Sequence, residues 1–242
     1  MTLVQAVFFD LDGTLIDDEE AARRCTEATC RHFETSIPGV DCAALTTTFM
    51  RLGKEYWTHR VASGVDDNRG SRIALWQQAL SEHRIERPGL GEEFAVLYAA
   101  LRAKAAVPFE DAQPVVEALT NRGYRLAVIT NGAAEVQRYK LELVGLDDYF
   151  DAFIASSDFG AGKPDLVVFE AALDALGADP AQTWHIGDNL AADVAGALNA
   201  GIRAAWLNRP GETRRPEHPE PHAELRTLWE LPSILTPAPR GG

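Results

Sequence analysis

Cysteines and basic residues are scarce in this sequence, and long apolar runs are missing. The three cysteines, Cys25, Cys30 and Cys42, are an odd number and lack the spacing of a disulfide framework or a zinc site. Lys and Arg number 23 against 36 Asp and Glu, and the net charge of −13 makes nucleic acid and anionic membranes poor partners. No basic leader precedes an apolar segment, and no stretch approaches the roughly 18 apolar residues of a membrane span. We therefore expect a soluble protein of the reducing cytoplasm.

From residue 111 onward, helical segments alternate with short β-branched strands. This alternation predicts βαβ units and a parallel sheet. Glycines follow the predicted helices at 123, 145, 177 and 201, where left-handed caps suit glycine. The predicted strands are 4–9, 125–130, 153–155, 183–186 and 203–207. The predicted helices are 111–121, 133–143, 164–177, with Pro164 in the first helical position, and 191–199.

The segment between the first strand and residue 108 has a different pattern. It holds almost no β-rich runs, and its apolar residues show helical spacing over 21–33, 45–61, 73–83 and 92–105. Turn signals such as Gly70 divide it. We expect an inserted all-helical domain at 18–107, in which Cys25 and Cys30 are small buried hydrophobic residues. The remaining residues, 1–17 and 108–242, are expected to form the α/β core domain.

The C-terminal segment is rich in proline, with 7 of the 13 prolines in the last 35 residues. Helix is excluded over 214–221 for that reason. His218 and His222 are four residues apart, but the prolines favour a solvated tail over a metal site there. One last element is expected between Leu225 and Leu235.

The strongest chemical signal follows the first strand. Asp10 and Asp12 are two carboxylates two residues apart, where negative charge accumulates unless a cation is bound. Such a pair suits Mg2+, with one carboxylate available as a nucleophile and the other as an acid and base. Gly13 permits a tight turn, and Thr14 offers a hydroxyl. Taken alone, the same residues are also typical of an Asp-Gly turn.

Polar residues follow three further predicted strands. Thr130, Asn131 and Gly132 offer a hydroxyl, an amide and accessible backbone N–H groups at a helix start, an arrangement that binds anions. Lys163 precedes the next helix and can offset negative charge. Each of these also has a structural interpretation, as a helix cap or a solvated lysine.

Asp188 and Asp193 follow the fourth predicted strand. Asp188 can reach a metal at the strand end, whereas Asp193 has a structural alternative as an acidic residue at a helix start. In an open α/β sheet, the carboxyl ends of the strands form the ligand crevice. Several carboxylates, a lysine and an anion cradle in one place favour phosphoryl transfer on a metal ion.

These residues resemble the four motifs of the haloacid dehalogenase superfamily, in order and in spacing. The resemblance covers about residues 4 to 207, and the helical insertion resembles the four-helix cap of its capped phosphatases. It implies a Rossmann-like doubly wound parallel sheet with strand order 5-4-1-2-3. The matching residues are Asp10-Leu-Asp-Gly-Thr14, Thr130-Asn131, Lys163-Pro164, and Gly187-Asp188 with Asp193.

The resemblance also implies a role for each matching residue. Asp10 would be the nucleophile and a Mg2+ ligand, Asp12 the general acid and base with its backbone carbonyl on the metal, and Asp188 a further metal ligand.

Four more residues would support the phosphoryl group and the metal. Thr130 and the Asn131 backbone would hold phosphoryl oxygens, and Lys163 would stabilise the nucleophile and the phosphoryl charge. Asp193 would support Lys163 or the water shell of the metal.

The function implied is Mg2+-dependent hydrolysis of a small phosphomonoester through an aspartyl-phosphate. By the resemblance, the dehalogenases of the superfamily lack the second aspartate and use no Mg2+, so Asp12 favours phosphate chemistry. A phosphomutase resembling β-phosphoglucomutase and a non-catalytic phosphometabolite-binding protein are the alternatives. The sequence leaves open which small phosphorylated metabolite binds and whether the chain is a monomer or a homodimer.

Overall fold

A parallel sheet of six strands organises the larger part of the chain. The computed structural model describes residues 4–60 and 68–235, except for the side chains of 57–60 and 68–69. The strands are β1 Ala6–Phe9, β2 Arg125–Thr130, β3 Ala152–Ala155, β4 Thr183–Gly187, β5 Arg203–Leu207 and β6 Ala223–Leu225. Their order is β3-β2-β1-β4-β5-β6, and every neighbouring pair is parallel.

Helices connect these strands and fill an inserted segment. The α-helices are α1 Asp18–Phe33, α2 Cys42–Arg60, α3 Asn68–Glu82, α4 Leu90–Arg102, α5 Ala112–Asn121, α6 Ala134–Leu143, α7 Leu166–Leu176, α8 Ala195–Asn199 and α9 Leu231–Ile234. A π-helical turn, Leu190–Val194, leads into α8. None of the described helices is long and apolar enough to cross a lipid bilayer.

The chain divides into two compact units. One contains the described residues up to Asp18 and those from Ala106 onward, and the other is Glu19–Ala105. The first unit holds the whole sheet, and the second holds α1 from Glu19 onward together with α2, α3 and α4. Whether the second unit serves as a substrate cap stays a prediction.

Side chains of the sheet alternate between two hydrophobic layers, because successive residues of a strand point to opposite faces. In β1, Val7 and Phe9 belong to the core cluster on one face, and Ala6 and Phe8 belong to the cluster on the other. All four are completely buried. β1 is therefore an interior strand, and its carboxyl end lies at the point where the strand order reverses.

The helical unit has its own aromatic core. Trp76 is completely buried, stacks on Phe49 at 3.9 Å between ring centroids, and meets Phe94 edge-on. Cys30 and Cys42 form a disulfide, and the buried Cys25 takes no part in it. Cys30 is buried in the hydrophobic core as expected, but the interpretation of the three cysteines as lacking a disulfide pattern is wrong, because the start of α2 brings Cys42 to the end of α1.

The structure corrects four further sequence expectations. A sixth strand, β6, extends the predicted order 5-4-1-2-3 beyond β5, and the His222 ring accepts a hydrogen bond from Ala204 N–H instead of lying in a solvated tail. Pro164 precedes α7, whose N-cap is Asp165. Gly70 lies inside α3 and is no turn. The prediction of a doubly wound parallel α/β fold is confirmed.

Candidate active site

The polar residues singled out in the sequence gather where the parallel strands end. Asp10 follows β1, Thr130 ends β2, and Asp188 follows β4. Because β1 lies between β2 and β4, these loops are neighbours at one edge of the sheet. Lys163 and Asp193 join them from the segments after β3 and β4. The candidate catalytic residues thus share one site, as expected for the crevice of an open α/β sheet.

A buried lysine links two of the carboxylates. Lys163 Nζ donates to Asp10 Oδ1 at 2.5 Å and lies 2.7 Å from Asp193 Oδ1. All three residues are at most 6% exposed. A charged group this deeply buried requires opposite charges as partners, and here each carboxylate shares the same ammonium group.

The contacts of Asp193 are those expected of a residue that supports Lys163. Besides Lys163, its carboxylate is 3.0 Å from His185 Nε2 and accepts the Asn189 backbone N–H at 3.0 Å. Burial alone would raise the pKa of Asp193, but the charge of Lys163 and these hydrogen bonds lower it. Burial lowers the pKa of His185, so that the ring is neutral. The aspartate stays ionised and fixes the position of the lysine.

The site carries more negative than positive charge. When all three are ionised, Asp10, Asp188 and Asp193 carry three negative charges against the single ammonium of Lys163, which leaves two of them uncompensated. Burial raises the pKa of Asp10 well above its ordinary value, and the charge of Lys163 opposes this only in part. Desolvation, with the charge of Asp193, raises the pKa of Asp188 to about 7, although the residue as a whole is exposed.

These three carboxylates fit a divalent cation. One oxygen from each of Asp10, Asp188 and Asp193 lies within 4.8 Å of the others. Oxygen ligands of this kind suit a hard cation such as Mg2+. A divalent ion would also balance the two uncompensated negative charges. A shared ion requires Asp10 and Asp188 to lie close together, and these two carboxylates do.

The side chain of Asp12 is hydrogen bonded to residues outside this cluster. Lys140 Nζ, on α6, donates to Asp12 Oδ1 at 2.8 Å and Oδ2 at 3.0 Å, and to Asp18 Oδ1 at 3.0 Å. Gln137, also on α6, donates through Nε2 to Asp12 Oδ2 at 2.7 Å. The sequence interpretation missed Gln137 and Lys140. The two residues are three positions apart, so both lie on one face of the helix that follows Thr130 in the chain. This spacing was the only signal in the sequence that could have identified them.

The loop after β2 is bound to the loop after β3. Asn131 Nδ2 donates to the Lys163 carbonyl at 3.0 Å, and Asn131 Oδ1 accepts Lys163 N–H at 2.8 Å. Gly132 N–H and Ala134 N–H donate to the hydroxyls of Ser156 and Ser157, each at 2.9 Å. The expectation of accessible N–H groups is wrong for Gly132, because the Ser156 hydroxyl already accepts its hydrogen.

Two glycines allow the close approach of site carboxylates. A Cβ at Gly13 would collide with the Asp188 carboxylate, and Gly13 also has a φ of +85° that favours glycine. A Cβ at Gly187 would collide with the side chain of Asp193. Gly13 is therefore restricted by the site as well as by the backbone, and Gly187 by the site.

Comparison with known proteins places this geometry in a family. A model of the haloacid dehalogenase-like hydrolases matches residues 4–201. The chain belongs to this family. It is therefore a hydrolase, and the resemblance noted from the motifs is confirmed.

Individual relatives of this haloacid dehalogenase-like hydrolase include a phosphatase and two solved structures. N-acylneuraminate-9-phosphatase of Rattus norvegicus is 31% identical over 240 residues, covering 97% of this chain and 95% of that protein. A HAD-hydrolase, YfnB from Bacillus subtilis, solved bound to magnesium, superposes with a TM-score of 0.79 at 23% identity, covering 97% and 99%. A 2-haloacid dehalogenase from Pseudomonas syringae superposes with a TM-score of 0.61 at 30% identity, covering 96% and 98%.

Proposed function

We propose that this hydrolase is a Mg2+-dependent phosphatase that hydrolyses a small phosphomonoester through an aspartyl-phosphate at Asp10. The observation that carries the proposal is the cluster of Asp10, Asp188 and Asp193 around the buried ammonium of Lys163, with Asp12 held beside it. The phosphatase among the relatives, similar over nearly the whole chain, supports the same chemistry.

Each residue has a role in two successive displacements. The Asp10 carboxylate attacks phosphorus, the bond from phosphorus to the ester oxygen breaks, and Asp12 gives its proton to the departing alcohol. Asp12 then takes a proton from water as the water oxygen attacks phosphorus, which releases inorganic phosphate and restores the Asp10 carboxylate. Thr130 and the Asn131 backbone hold phosphoryl oxygens, and Lys163 offsets their charge.

Mg2+ would be held by Asp10, Asp188 and the backbone carbonyl of Asp12. When bound, it supplies positive charge that reduces repulsion between the phosphoryl group and the attacking carboxylate. Asp193 then supports the site through Lys163, because its carboxylate is already hydrogen bonded to that lysine, His185 and a backbone N–H.

Substitution of the nucleophile tests this proposal. We expect Asp10→Asn to remove phosphate release completely, because an amide is a far weaker nucleophile, whereas the exposed Asp174→Asn should retain wild-type turnover. Phosphate release is measured over a panel of sugar, sugar-acid, nucleoside and amino-acid phosphates with Mg2+, with EDTA as the control. Retained Mg2+-dependent turnover in Asp10→Asn would contradict the covalent step.

The dehalogenase relative provides a second candidate function to be tested in parallel. A dehalogenase would release halide from 2-haloacids, and this release would persist in EDTA. We expect no halide release, because Asp12 is present and positioned by Lys140 and Gln137. Halide release without phosphate release would reject phosphatase function in favour of carbon–halogen cleavage.

A further inference from the structure

The Gln137 side chain connects two residues of the proposed phosphatase site. It is 3% exposed, and its Nε2 lies 2.7 Å from both Asp12 Oδ2 and Thr130 Oγ1. Thr130 ends β2, whereas Asp12 follows β1, so this amide joins the ends of two neighbouring strands. Because the amide is buried between the Asp12 carboxylate and the Thr130 hydroxyl, it restricts the orientation of both groups.

The orientation of this amide follows from the partners of Asp12. Lys140 donates to both oxygens of the Asp12 carboxylate, and carboxylate oxygens accept hydrogen bonds. The Gln137 atom that faces it must therefore be the NH2 group. The second hydrogen of that group points to Thr130 Oγ1, which accepts it. The Thr130 hydroxyl hydrogen is thereby directed to another acceptor.

Lys140 restrains the same carboxylate from a second direction. It donates to Asp12 and Asp18, and its side chain is only 14% exposed. Gln137 and Lys140 are three residues apart on α6, so one helix face supplies both contacts. Two donors of different chemistry hold one carboxylate, which restricts its rotation more than either would alone.

We infer that Gln137 and Lys140 are positioning residues: Gln137 turns the Thr130 hydroxyl toward the phosphoryl group, and both residues hold the Asp12 carboxylate where it exchanges a proton with the ester oxygen. This inference rests on the proposed phosphatase function. It gives α6, which carries none of the motif residues, a part in the reaction.

A comparison of two leaving groups tests the Asp12 arm. An aryl phosphate releases a stable phenolate, whereas an alkyl phosphate needs a proton from a positioned acid. We expect Gln137→Met and Lys140→Met to lower kcat/KM for an alkyl ester by about 100-fold and for p-nitrophenyl phosphate much less. Lys140→Arg, which keeps the charge, should recover part of the loss. A purely structural defect would lower both substrates equally.

Binding of inorganic phosphate tests the Thr130 arm without turnover. In calorimetry with Mg2+, Gln137→Met should weaken phosphate binding by about tenfold, because one hydrogen bond to a charged group is lost. Lys140→Met should keep the wild-type affinity. The exposed Glu142→Gln on the same helix is the matched control and should change neither assay. Thermal unfolding of each variant checks folding.

The outcomes separate the two hypotheses. A wild-type protein that releases no phosphate from any ester rejects the proposed function, and the phosphate titration then decides the inference. Equal losses on both esters, or unchanged phosphate affinity in Gln137→Met, would overturn the inference, as would wild-type protein that binds no phosphate. An alkyl-selective loss together with weakened phosphate binding in Gln137→Met supports it.

Discussion

Gly187 shows how a single residue without a side chain can determine the position of a proposed catalytic group. It is buried in β4, opposite Trp206 of β5, and the side chain of Asp193 occupies the space where a Cβ would lie. Asp193 in turn binds Lys163 and His185. The position of Lys163 beside Asp10, the proposed nucleophile, therefore depends on the absence of a Cβ at Gly187.

We expect Gly187→Ala to displace Asp193 and to destabilise the fold by about 1–3 kcal/mol, as overpacking of a buried site does. Displacement of Lys163 by about 1 Å would lower kcat by about 100-fold. Phosphatase kinetics and urea unfolding measure the two effects.

Gly53 provides the matched control, since nothing lies within 4 Å of a Cβ built at this position of α2. Gly53→Ala should raise stability by up to about 1 kcal/mol through helix propensity and leave kcat unchanged. Wild-type kcat in Gly187→Ala would show that Asp193 does not position the lysine.

At the scale of elements, the segment after β5 is bound to the loop that carries Gly13. Arg209 donates to both oxygens of the buried Asp111, at 2.9 and 2.8 Å, and to the Thr14 carbonyl at 3.0 Å. The same Asp111 carboxylate accepts the Leu228 N–H at 2.8 Å. One carboxylate at the start of α5 thus holds two parts of the C-terminal segment against the site loop.

We expect Asp111→Ala to destabilise the protein by about 3 kcal/mol, because Arg209 and the Leu228 N–H lose a shared buried partner. Urea unfolding with a constant m-value measures this loss. Arg215→Ala is the control: its ion pair with Glu217 is exposed and 3.9 Å long, so its removal should change stability by less than about 0.5 kcal/mol. Similar losses in both variants would mean that the Asp111 pair is no stronger than a surface contact.

For the molecule as a whole, negative charge is the property that a metal would change most. The net charge is −13, and the candidate site concentrates three carboxylates near one lysine. Because these carboxylates repel one another, a cation that neutralises them stabilises the native state over the unfolded one.

We expect Mg2+ at about one hundred times its dissociation constant to stabilise the protein by about 2.7 kcal/mol and to raise its thermal midpoint by about 5 °C. Asp188→Asn should abolish most of this shift and, without metal, raise the midpoint, since it removes one repelling charge. Asp174→Asn should keep the full shift. Calorimetric unfolding at constant ionic strength makes the comparison, and an undiminished shift in Asp188→Asn would place the metal elsewhere.

The sequence alone determined the doubly wound parallel sheet and most of the residues at its carboxyl edge. Strands such as Arg125–Thr130 and Arg203–Leu207 are visible because short apolar runs between glycine-capped helices are local patterns. Asp10, Lys163 and Asp188 each follow a predicted strand and Thr130 ends one, and parallel strands bring such positions to the same edge of a sheet. That inference needs no knowledge of side-chain packing.

Only the tertiary structure decided which side chains bind one another. Lys140 and Gln137 reach Asp12 across more than 120 residues, because the packing of α6 on the sheet determines which helix face meets the β1 loop. The Cys30–Cys42 disulfide and the Arg209–Asp111 pair likewise depend on how helices and loops pack. Periodicity and turn signals describe short windows of the chain. These contacts arise instead from packing between segments that are distant in sequence or that are joined by a loop.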